Sequence, residues 1–368
     1  MTGNILGERF LVLSFGESHG RCIGVVVDGC PAGLPLSEDD IQHDLNLRRP
    51  GLSMVTSERS EEDKVELISG VFNGYTTSAP ICALIWNKDV DSKPYEQIRK
   101  TPRPGHADLT AFWKYGGYND WRGGGRFSGR ITASFVIAGA IAKKLIHYTL
   151  GIEVFAYSIE IGGIKAREVS DDEIRRLRYS NEVRCADLEA AEKMKIKITE
   201  EQLKGDSVGG IVECKVFNVP IGLGEPVFSS LESDLSKALF SIPAVKGIEF
   251  GIGFEASRLK GSECNDPFSV KKGKIITSSN RAGGILGGIS NGMPIVLRLA
   301  FKPTSSIGKP QKTVHLDTLK KVDLIVSGRH DPCIVPRAVP VVEAMVSCVM
   351  ADHSIRAGLI PPVIKTRP

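Results

Sequence analysis

The pattern of apolar and polar residues along the chain predicts strands and helices that follow one another without a regular order. Short apolar runs ended by turn residues predict strands at 23–27, 81–86, 152–161 and 209–219. Longer periodic or apolar segments predict helices after Ser37, around 230–240, at 131–150 and at 339–350. Residues 170–204 are charged and helical in character. Glycine-rich strands and turns are expected around 247–254 and 283–299.

Residues at the ends of the predicted helices support these boundaries. Ser37 is a typical N-cap, and Asp39 and Asp40 follow it in the first turn, where the helix dipole favours acidic residues. Gly151 follows the helix predicted at 131–150, and glycine is the usual residue just past a helix C-terminus. Pro340 falls in the first turn of the last predicted helix, a position that tolerates proline.

This mixture predicts an α+β fold rather than a doubly wound sheet, because the strands and helices do not follow each other as βαβ units. No tandem repeat and no linker rich in proline, glycine or serine divides the chain. Glycine and arginine motifs lie near both ends and must meet if they form one site. We therefore predict a single domain that spans residues 1–368.

Composition and charge exclude several classes of protein. Hydrophobic residues are 42% and charged residues 24% of the 368 residues, which is typical of a globular chain and not of a disordered one. The formal charge of +4 is too small to indicate nucleic-acid binding. No uninterrupted apolar run reaches the roughly 18 residues that span a bilayer, and the longest, 135–142, stops at Lys143. We expect neither a nucleic-acid partner nor a membrane.

The N-terminus and the cysteines indicate a reducing compartment. The first residues lack the charged and apolar regions of a signal peptide. The eight cysteines form no CxxC pair and lie among apolar neighbours. We therefore expect free buried thiols rather than disulfides or a zinc site, and the predicted location is the cytoplasm.

Three short motifs in the first third of the chain place histidine or arginine beside glycine. FGESHG at 15–20 brackets His19, a candidate general acid, with glycines that permit a sharp turn and close approach to a ligand. RRPG at 48–51 offers two adjacent guanidinium groups to a phosphate or carboxylate. RPGHAD at 103–108 fixes His106 at a Pro-Gly turn, with Asp108 placed to orient the imidazole or to keep it protonated. Taken singly, each motif also fits a solvated turn or helix end.

The most informative motif is RGGGRFSGR at 122–130. Three successive glycines expose backbone N–H groups, and Arg122, Arg126 and Arg130 surround them with positive charge. The helix predicted at 131–150 begins directly afterwards, so its positive end adds to the same place. This combination favours an anion-binding loop, and the alternative is a flexible glycine loop. The motif matches neither a P-loop nor a dinucleotide-binding turn.

The C-terminal third adds further chemistry for anions. AGGILGGISNG at 282–292 exposes bare backbone to a flat ligand, and KPTSS at 302–306 offers one cation and three hydroxyls to a phosphate. GRHDPC at 328–333 joins an arginine, a histidine and an aspartate. A nucleophilic Cys333 is disfavoured because no oxyanion turn adjoins it. None of these motifs has the spacing of metal ligands.

Together these segments closely resemble the chorismate synthase family. The blocks that match occur in the family's order over almost the whole chain: FGESHG, RRPG, RPGHAD, KYGGYNDWRGGGRFSGR, AVKGIEFGIGF, AGGILGGISNG, KPTSSI and GRHDPC. The resemblance implies the last step of the shikimate pathway, a 1,4-anti elimination that turns 5-enolpyruvylshikimate 3-phosphate into chorismate and phosphate. It implies reduced FMN as cofactor and leaves NADPH open as its reductant. It also implies a β-α-β sandwich with helices between two antiparallel sheets, assembled as a homotetramer.

The resemblance assigns roles to individual residues by the match of motifs. His19 protonates or holds the reduced flavin, His106 acts near the departing phosphate, and Asp331 helps to move the proton through the flavin. The FMN-binding positions are Arg126, Phe127, Ser128, Ala244, Gly287, Lys302, Pro303, Thr304, Ser305, Ser306 and Arg329. The ligands of substrate anions or of NADPH are Arg48, Arg49, Arg130 and Arg337.

The chain departs from the family pattern at three positions. Phe127 stands where many members have serine, which removes one hydroxyl from the expected flavin site. Met54 stands where many members have a second arginine after RRPG, and Pro243 stands where asparagine is common. Each departure removes a polar group that a ligand contact would use.

Two other functions compete with this interpretation. An NADPH-dependent flavin reductase requires a flavin site. It does not require the cluster of arginine and histidine residues that this sequence contains, which suits the elimination of phosphate. A non-catalytic binder of phosphorylated ligands or RNA is supported only by the dispersed arginines. It predicts steep salt dependence of nucleic-acid affinity and no turnover.

Overall fold

Two antiparallel sheets enclose a layer of helices. The computed structural model describes residues 3–49, 63–88, 91–93, 95–326 and 331–365. The strands within these ranges are β1 (Ile5–Leu6), β2 (Leu11–Gly16), β3 (Cys22–Asp28), β4 (Val65–Leu67), β5 (Val71–Phe72), β6 (Tyr75–Thr76), β7 (Ile81–Trp86), β8 (Glu153–Ile161), β9 (Ile164–Lys165), β10 (Gly210–Phe217), β11 (Val245–Phe250), β12 (Phe268–Lys271), β13 (Lys274–Thr277), β14 (Ile285–Leu286), β15 (Ile289–Ser290), β16 (Ile295–Phe301), β17 (Gln311–Val314) and β18 (Lys321–Leu324). The helices are α1 (Glu38–Arg48), α2 (Tyr95–Ile98), α3 (Asp108–Tyr115), α4 (Thr132–Leu150), α5 (Asp171–Leu177), α6 (Leu188–Leu203), α7 (Leu231–Leu239), α8 (Gly261–Cys264) and α9 (Val335–Arg356).

The first sheet has the strand order β1-β2-β3-β7-β4, and the second has the order β11-β16-β10-β8-β9. Every neighbouring pair within the two sheets is antiparallel. The remaining short strands form separate hairpins, β5-β6, β12-β13, β14-β15 and β17-β18.

Helices α4 and α9 pack against each other between the two sheets. Helix α4 contacts β3 of the first sheet, and α9 contacts β8 and β10 of the second. A buried apolar cluster joins inward side chains of both sheets, such as Val25 and Cys214, to both helices. This architecture confirms the predicted α+β sandwich, with helices between antiparallel sheets. The boundary of a single domain at residues 1–368 stays a prediction.

Most predicted helix ends agree with the structure, and the last helix does not. Ser37 caps α1 in a capping box with Asp40, and Gly151 follows α4 in the left-handed conformation. The prediction for 339–350 is too short, because α9 begins at Val335 and ends at Arg356. Pro340 therefore lies inside the helix. Pro336 occupies the first turn, where a backbone N–H has no acceptor within the helix, so that a proline there costs no hydrogen bond. Burial of almost the whole of α9 between the sheets outweighs the break that Pro340 would otherwise introduce.

Helices α4 and α9 are also long and apolar enough to cross a membrane. The segments Gly129–Leu150 and Val335–Arg356 meet that criterion, but 78% and 94% of their most apolar windows are buried inside the fold. Their apolar composition is accounted for by the core that they form.

One edge of the first sheet gathers several of the predicted motifs. The loop at 17–21 joins β2 to β3, and the pairing of Cys22 with Trp86 places the end of β7 beside it. The triple-glycine segment lies against the same loop, because Ser18 N–H donates to the Gly125 carbonyl (3.3 Å). Helix α4 starts a few residues later, so its positive end points into this region.

Candidate active site

A cavity of about 670 Å³ opens where the N-terminus of α4 meets residues 240–246, 302–306 and 331–341. Seven cationic residues line it: Arg48, Arg103, Arg126, Arg130, Arg337, Lys246 and Lys302. Among the lining residues that the structure describes, Asp331 is the one acidic group. This excess of positive charge favours anionic ligands in the cavity.

The cavity brings together most of the predicted site residues from both halves of the chain. Those that line it are Arg48, His106, Arg126, Phe127, Ser128, Arg130, Ala244, Lys302, Thr304, Ser305, Ser306, Asp331 and Arg337. Four others, His19, Arg49, Gly287 and Pro303, are not among the lining residues. Arg329, His330 and Met54 lie outside the described residues.

His106 is held by a carboxylate that an arginine also binds. His106 Nδ1 lies 2.6 Å from Asp108 Oδ1. Arg103 donates from Nε and Nη2 to the two Asp108 oxygens (2.7 and 2.8 Å) and from Nη1 to Ser306 Oγ (3.0 Å). Burial alone would raise the pKa of the Asp108 carboxyl, but the hydrogen bonds from Arg103 and His106 hold it well below its usual range. Asp108 is therefore a permanent anion that fixes the imidazole from one side.

A second carboxylate joins two of the arginines that line the cavity. Asp63 accepts from Arg48 Nη1 (3.2 Å) and from Arg130 Nη1 (2.6 Å), and its side chain is fully buried. Arg48 also donates to Gly129 O (2.8 Å). Burial and the nearby charges of Arg337 and Arg130 lower the pKa of Arg48 to about 9, so that it stays charged at pH 7. Two guanidiniums that share one anion leave net positive charge for a ligand.

Arg337 completes this part of the cavity. Its Nη1 donates to Asp331, and its Nε donates to the Arg48 carbonyl (3.4 Å). We call Arg48, Arg103, Arg130 and Arg337, with the partners Asp63, Asp108 and Asp331, the paired-charge wall. Each arginine of this wall is held by a carboxylate, so each guanidinium is oriented before a ligand arrives.

A second group of cavity-lining residues has a different composition. Lys302 follows β16, Lys246 lies in β11, and Ser305 and Ser306 follow Lys302 in the same loop. Burial, together with the positive charge of Lys246, lowers the pKa of Lys302. Within the described residues, neither lysine forms a salt bridge with a carboxylate. We call these four residues the lysine corner.

The triple-glycine segment separates the two predicted histidines. Gly123 has a φ of +58°, and a Cβ there would lie 2.2 Å from His19 Cδ2. Gly124 has a φ of +80°, and a Cβ there would lie 3.5 Å from His106 Cε1. The glycines thus allow both imidazoles to approach the backbone closely. The expected anion loop is therefore also a packing element, and Gly123 alone of the three glycines lines the cavity.

His19 lies directly behind the cavity wall. It is 6% exposed, its Nδ1 is 2.9 Å from Ser92 Oγ, and its ring meets the ring of Tyr95 edge-on. Tyr95 and Gly123 both line the cavity, so they stand between His19 and the ligand space.

Two of the predicted arginines and Gly287 are placed differently from the cavity-lining group. Arg122 is exposed and pairs with Asp120 (2.8 Å). Arg49 directly follows α1, as its C-terminal cap. Gly287 lies in the β14-β15 hairpin, whose Gly288 carbonyl accepts a hydrogen bond from the first residue of α7. The cavity is lined instead by residues just after the last residue of α7.

Four residues at the site have roles that the motifs did not predict: Asp63, Tyr95, Lys246 and Arg103. The role of Arg103 is to bind Asp108. Arg103 and Lys246 stand inside recognised motifs, so their positions were open to prediction. Asp63 ends an acidic run at 61–63 that is indistinguishable in sequence from a solvated surface segment. Its burial depends on Arg48 and Arg130, which are distant in sequence.

Comparison with known proteins agrees with this geometry. The sequence model of the chorismate synthase family matches residues 10–355. A chorismate synthase of Dehalococcoides mccartyi is 57% identical over 98% of this chain and 99% of its own length. One of Korarchaeum cryptofilum is 56% identical over 97% of this chain and 99% of its own length. The chain belongs to the chorismate synthase family.

The solved structures lead to the same family. A crystal structure of chorismate synthase superposes with a TM-score of 0.76 at 32% identity, covering 95% of this chain and 93% of that one. The predicted family, fold and function are confirmed by these matches. Chorismate synthase is a carbon–oxygen lyase of the shikimate pathway and of aromatic amino acid biosynthesis, and the family is flavin-dependent.

Proposed function

We propose that the cavity binds 5-enolpyruvylshikimate 3-phosphate beside reduced FMN and catalyses the 1,4-anti elimination of phosphate to give chorismate. The observation that carries this proposal is the set of seven cationic residues against one acidic residue among the described residues that line a 670 Å³ cavity. The substrate brings a phosphate and two carboxylates, and FMN brings a further phosphate. These anions need such a set of cations.

The paired-charge wall is the proposed site for the substrate. Arg48, Arg130 and Arg337 each have a protein partner that fixes the guanidinium, and each also lines the cavity. Guanidiniums that are oriented in advance attract a carboxylate or phosphate by their charge and can donate to it through N–H groups that the protein partners leave unused. The N-terminus of α4 adds partial positive charge nearby.

The lysine corner is the proposed site for the FMN phosphate. Lys302 offers an ammonium without a carboxylate partner among the described residues, and Ser305 and Ser306 offer hydroxyls beside it. Phe127 and Ala244 line the same cavity and provide apolar surface for a flat ring. This donor set fits a phosphorylated flavin, and the departures at Phe127 and Pro243 leave the lining less polar than in many relatives.

When bound, reduced FMN supplies transient electron density to the substrate and a basic nitrogen for its proton. The protein residues hold and neutralise the reacting groups. His106 donates a proton or hydrogen bond to the departing phosphate, and Asp108 stabilises the charged imidazole. Asp331, paired with Arg337 at the cavity wall, assists removal of the proton. His19 acts on the flavin from behind Tyr95 and Gly123.

We further propose a homotetramer in the cytoplasm. Residues near the β14-β15 hairpin expose large apolar side chains, among them Ile221, Val227 and Phe228, the last being 91% exposed. Contacts between copies would cover this surface. Contact of Gly287 with the flavin then requires the hairpin of a neighbouring copy. All eight cysteines are unpaired, which fits a reducing compartment.

The test is an anaerobic assay of chorismate formation from 5-enolpyruvylshikimate 3-phosphate with chemically reduced FMN. We expect chorismate and phosphate in equal amounts, without net consumption of reductant. A parallel arm replaces the chemical reductant with NADPH and oxidised FMN. Turnover in that arm assigns flavin reduction to this chain, and no turnover assigns it to an external donor.

Two results would contradict the proposal. Oxidation of NADPH by FMN without chorismate formation would indicate a simple flavin reductase. Tight binding of single-stranded RNA with steep salt dependence, and no turnover, would indicate a non-catalytic binder. Sedimentation at several protein concentrations checks the tetramer, and a monomer at micromolar concentration would contradict it.

A further inference from the structure

Asn87 lies where the turn that carries His19 meets the segment that carries Arg130. It is the first residue after β7, at the sheet edge that also carries the loop at 17–21. Its backbone N–H donates to the Arg21 carbonyl (3.1 Å), which ties it to that loop. The side chain points the same way and makes three more hydrogen bonds.

The Asn87 amide joins the His19 turn to Arg130. Nδ2 donates to the carbonyls of Glu17 (3.1 Å) and Gly20 (2.9 Å), and Oδ1 accepts from Arg130 Nε (2.9 Å). Carbonyls only accept hydrogen bonds and a guanidinium only donates them. The amide therefore has a single orientation that satisfies all three partners.

Both of the joined segments need a fixed position. Residues 17–20 form a tight turn closed by the Gly20 N–H to the Glu17 carbonyl (3.0 Å), and His19 stands within this turn. Arg130 lines the cavity, and Asp63 holds its Nη1 from another side. Asn87 is thus a direct side-chain link between the backbone that carries His19 and the guanidinium that faces the ligand.

We propose that Asn87 is a positioning residue that sets His19 in register with the substrate anion bound at Arg130. This inference rests on the proposed function, since it assumes that Arg130 binds the substrate and that His19 takes part in the reaction. Misplacement of a reacting group by about 1 Å can lower a rate on the order of 10²-fold. Loss of the two hydrogen bonds to the turn should therefore lower kcat while leaving the fold intact.

A double-mutant cycle tests the coupling to His19. We expect Asn87→Ala to lower kcat by about 10- to 100-fold. In the His19→Ala background the same substitution should lower kcat by less than about 3-fold, because residues that act through each other are not additive. Asn46→Ala is the matched control: Asn46 lies on the exposed face of α1, and among the described residues its side chain accepts one hydrogen bond, from Gln42. It should leave kcat unchanged.

A second measurement needs no turnover. In folded protein labelled with 15N-histidine, the ring signals of His19 are assigned by their loss in His19→Ala. We expect Asn87→Ala to shift these signals, and we expect Asn46→Ala to leave them in place. Thermal unfolding of each variant confirms that the folded state is compared.

The outcomes separate this inference from the proposed function. Equal fold losses of kcat in both backgrounds, or unchanged His19 signals in Asn87→Ala, would overturn the positioning role. If the wild-type protein formed no chorismate, the proposed function would fail, and the ring signals would still decide whether Asn87 orients His19.

Discussion

The two groups of cationic residues that line the cavity hold their charges in different ways. In the paired-charge wall, Asp63, Asp108 and Asp331 orient the guanidiniums before any ligand binds. In the lysine corner, the described residues provide no carboxylate for Lys246 or Lys302, and burial lowers the pKa of Lys302. The charges of the paired-charge wall are therefore largely balanced by carboxylates, whereas the two ammonium groups of the lysine corner have no carboxylate partner among the described residues.

This difference separates two tasks. Oriented groups stabilise charge that develops during a reaction, because they need no reorganisation in the transition state. An unpaired ammonium attracts an anion equally in the ground state and the transition state, which contributes affinity but not rate. We therefore expect substitutions in the paired-charge wall, and of His106 that its Asp108 holds, to change kcat. Substitutions in the lysine corner should instead change the dissociation constant of FMN.

The largest effect is expected from His106→Ala. Removal of a positioned acid should lower kcat by about 10²- to 10⁴-fold at saturating substrate and reduced FMN. Binding of the substrate should change less, because the arginines still hold its anions. The measurement is the steady-state rate of chorismate formation under anaerobic conditions.

The control for this variant is His147→Ala, which removes an exposed imidazole from the last turn of α4. Its rate should equal that of the wild type. Turnover of His106→Ala within a few-fold of wild type would refute an acid role and leave His106 as a part of the turn. The proposed catalytic role of Asp108, the member of the paired-charge wall that holds His106, would then lose its main support.

The next largest effect is expected from Asp108→Asn. The amide keeps the shape but cannot stabilise a charged imidazole, so kcat should fall by about 10- to 100-fold. The variant should also unfold more easily at pH 7, by about 2 kcal/mol, since Arg103 loses the charge of its partner.

The pH dependence of that stability has a definite sign. The pKa of Asp108 is lower in the folded protein than in the unfolded chain. The contribution of the Asp108 charge to the free energy of unfolding is therefore fully present above the pKa of the unfolded chain, about 4. It is lost progressively as the pH falls from there through the lower pKa of the folded protein. We measure urea unfolding at pH 7, 5 and 3. The difference in free energy of unfolding between wild type and Asp108→Asn should become smaller as the pH falls. The surface variant Asp323→Asn should show little gap at any pH.

The sequence predicted the elements well where the pattern was local. The strands at 23–27 and 81–86 and the helix at 131–150 follow from short-range periodicity and from end residues such as Gly151. The start of α9 was missed because Pro340 is a local signal for a helix start, while its burial between two sheets is a tertiary effect.

The candidate site shows the same difference between local sequence signals and tertiary effects. Motifs supplied most of the residues that line the cavity, because glycine and arginine clusters carry their chemistry in short segments. Asp63 and Asn87 were missed, since each functions through at least one partner more than 40 residues away in sequence: Asp63 through Arg130, and Asn87 through Glu17 and Arg130. The position of His19 behind Tyr95 was likewise set by packing rather than by its own motif.

A smaller effect, confined to binding, is expected from Lys302→Ala. The dissociation constant of reduced FMN should rise about 10-fold through loss of a charged hydrogen bond, whereas kcat at saturating FMN should stay within about 2-fold. Lys309→Ala, which removes a surface lysine paired with Asp206, is the control and should change neither quantity. A large loss of saturated rate with unchanged FMN affinity would contradict the division between the two groups.

The smallest effect concerns the redox state of the flavin. Reduced FMN carries more negative charge near neutral pH than oxidised FMN, so the uncompensated charge of the lysine corner should favour it. We expect the reduced form to bind about 3- to 10-fold more tightly in the absence of substrate at low ionic strength. The preference should shrink as salt is raised and should also shrink in Lys302→Ala. Anaerobic titrations followed by tryptophan fluorescence measure both affinities. Equal affinities at low salt would show that the charge of the corner does not distinguish the redox states, and the preference would then have to arise from contacts with the ring.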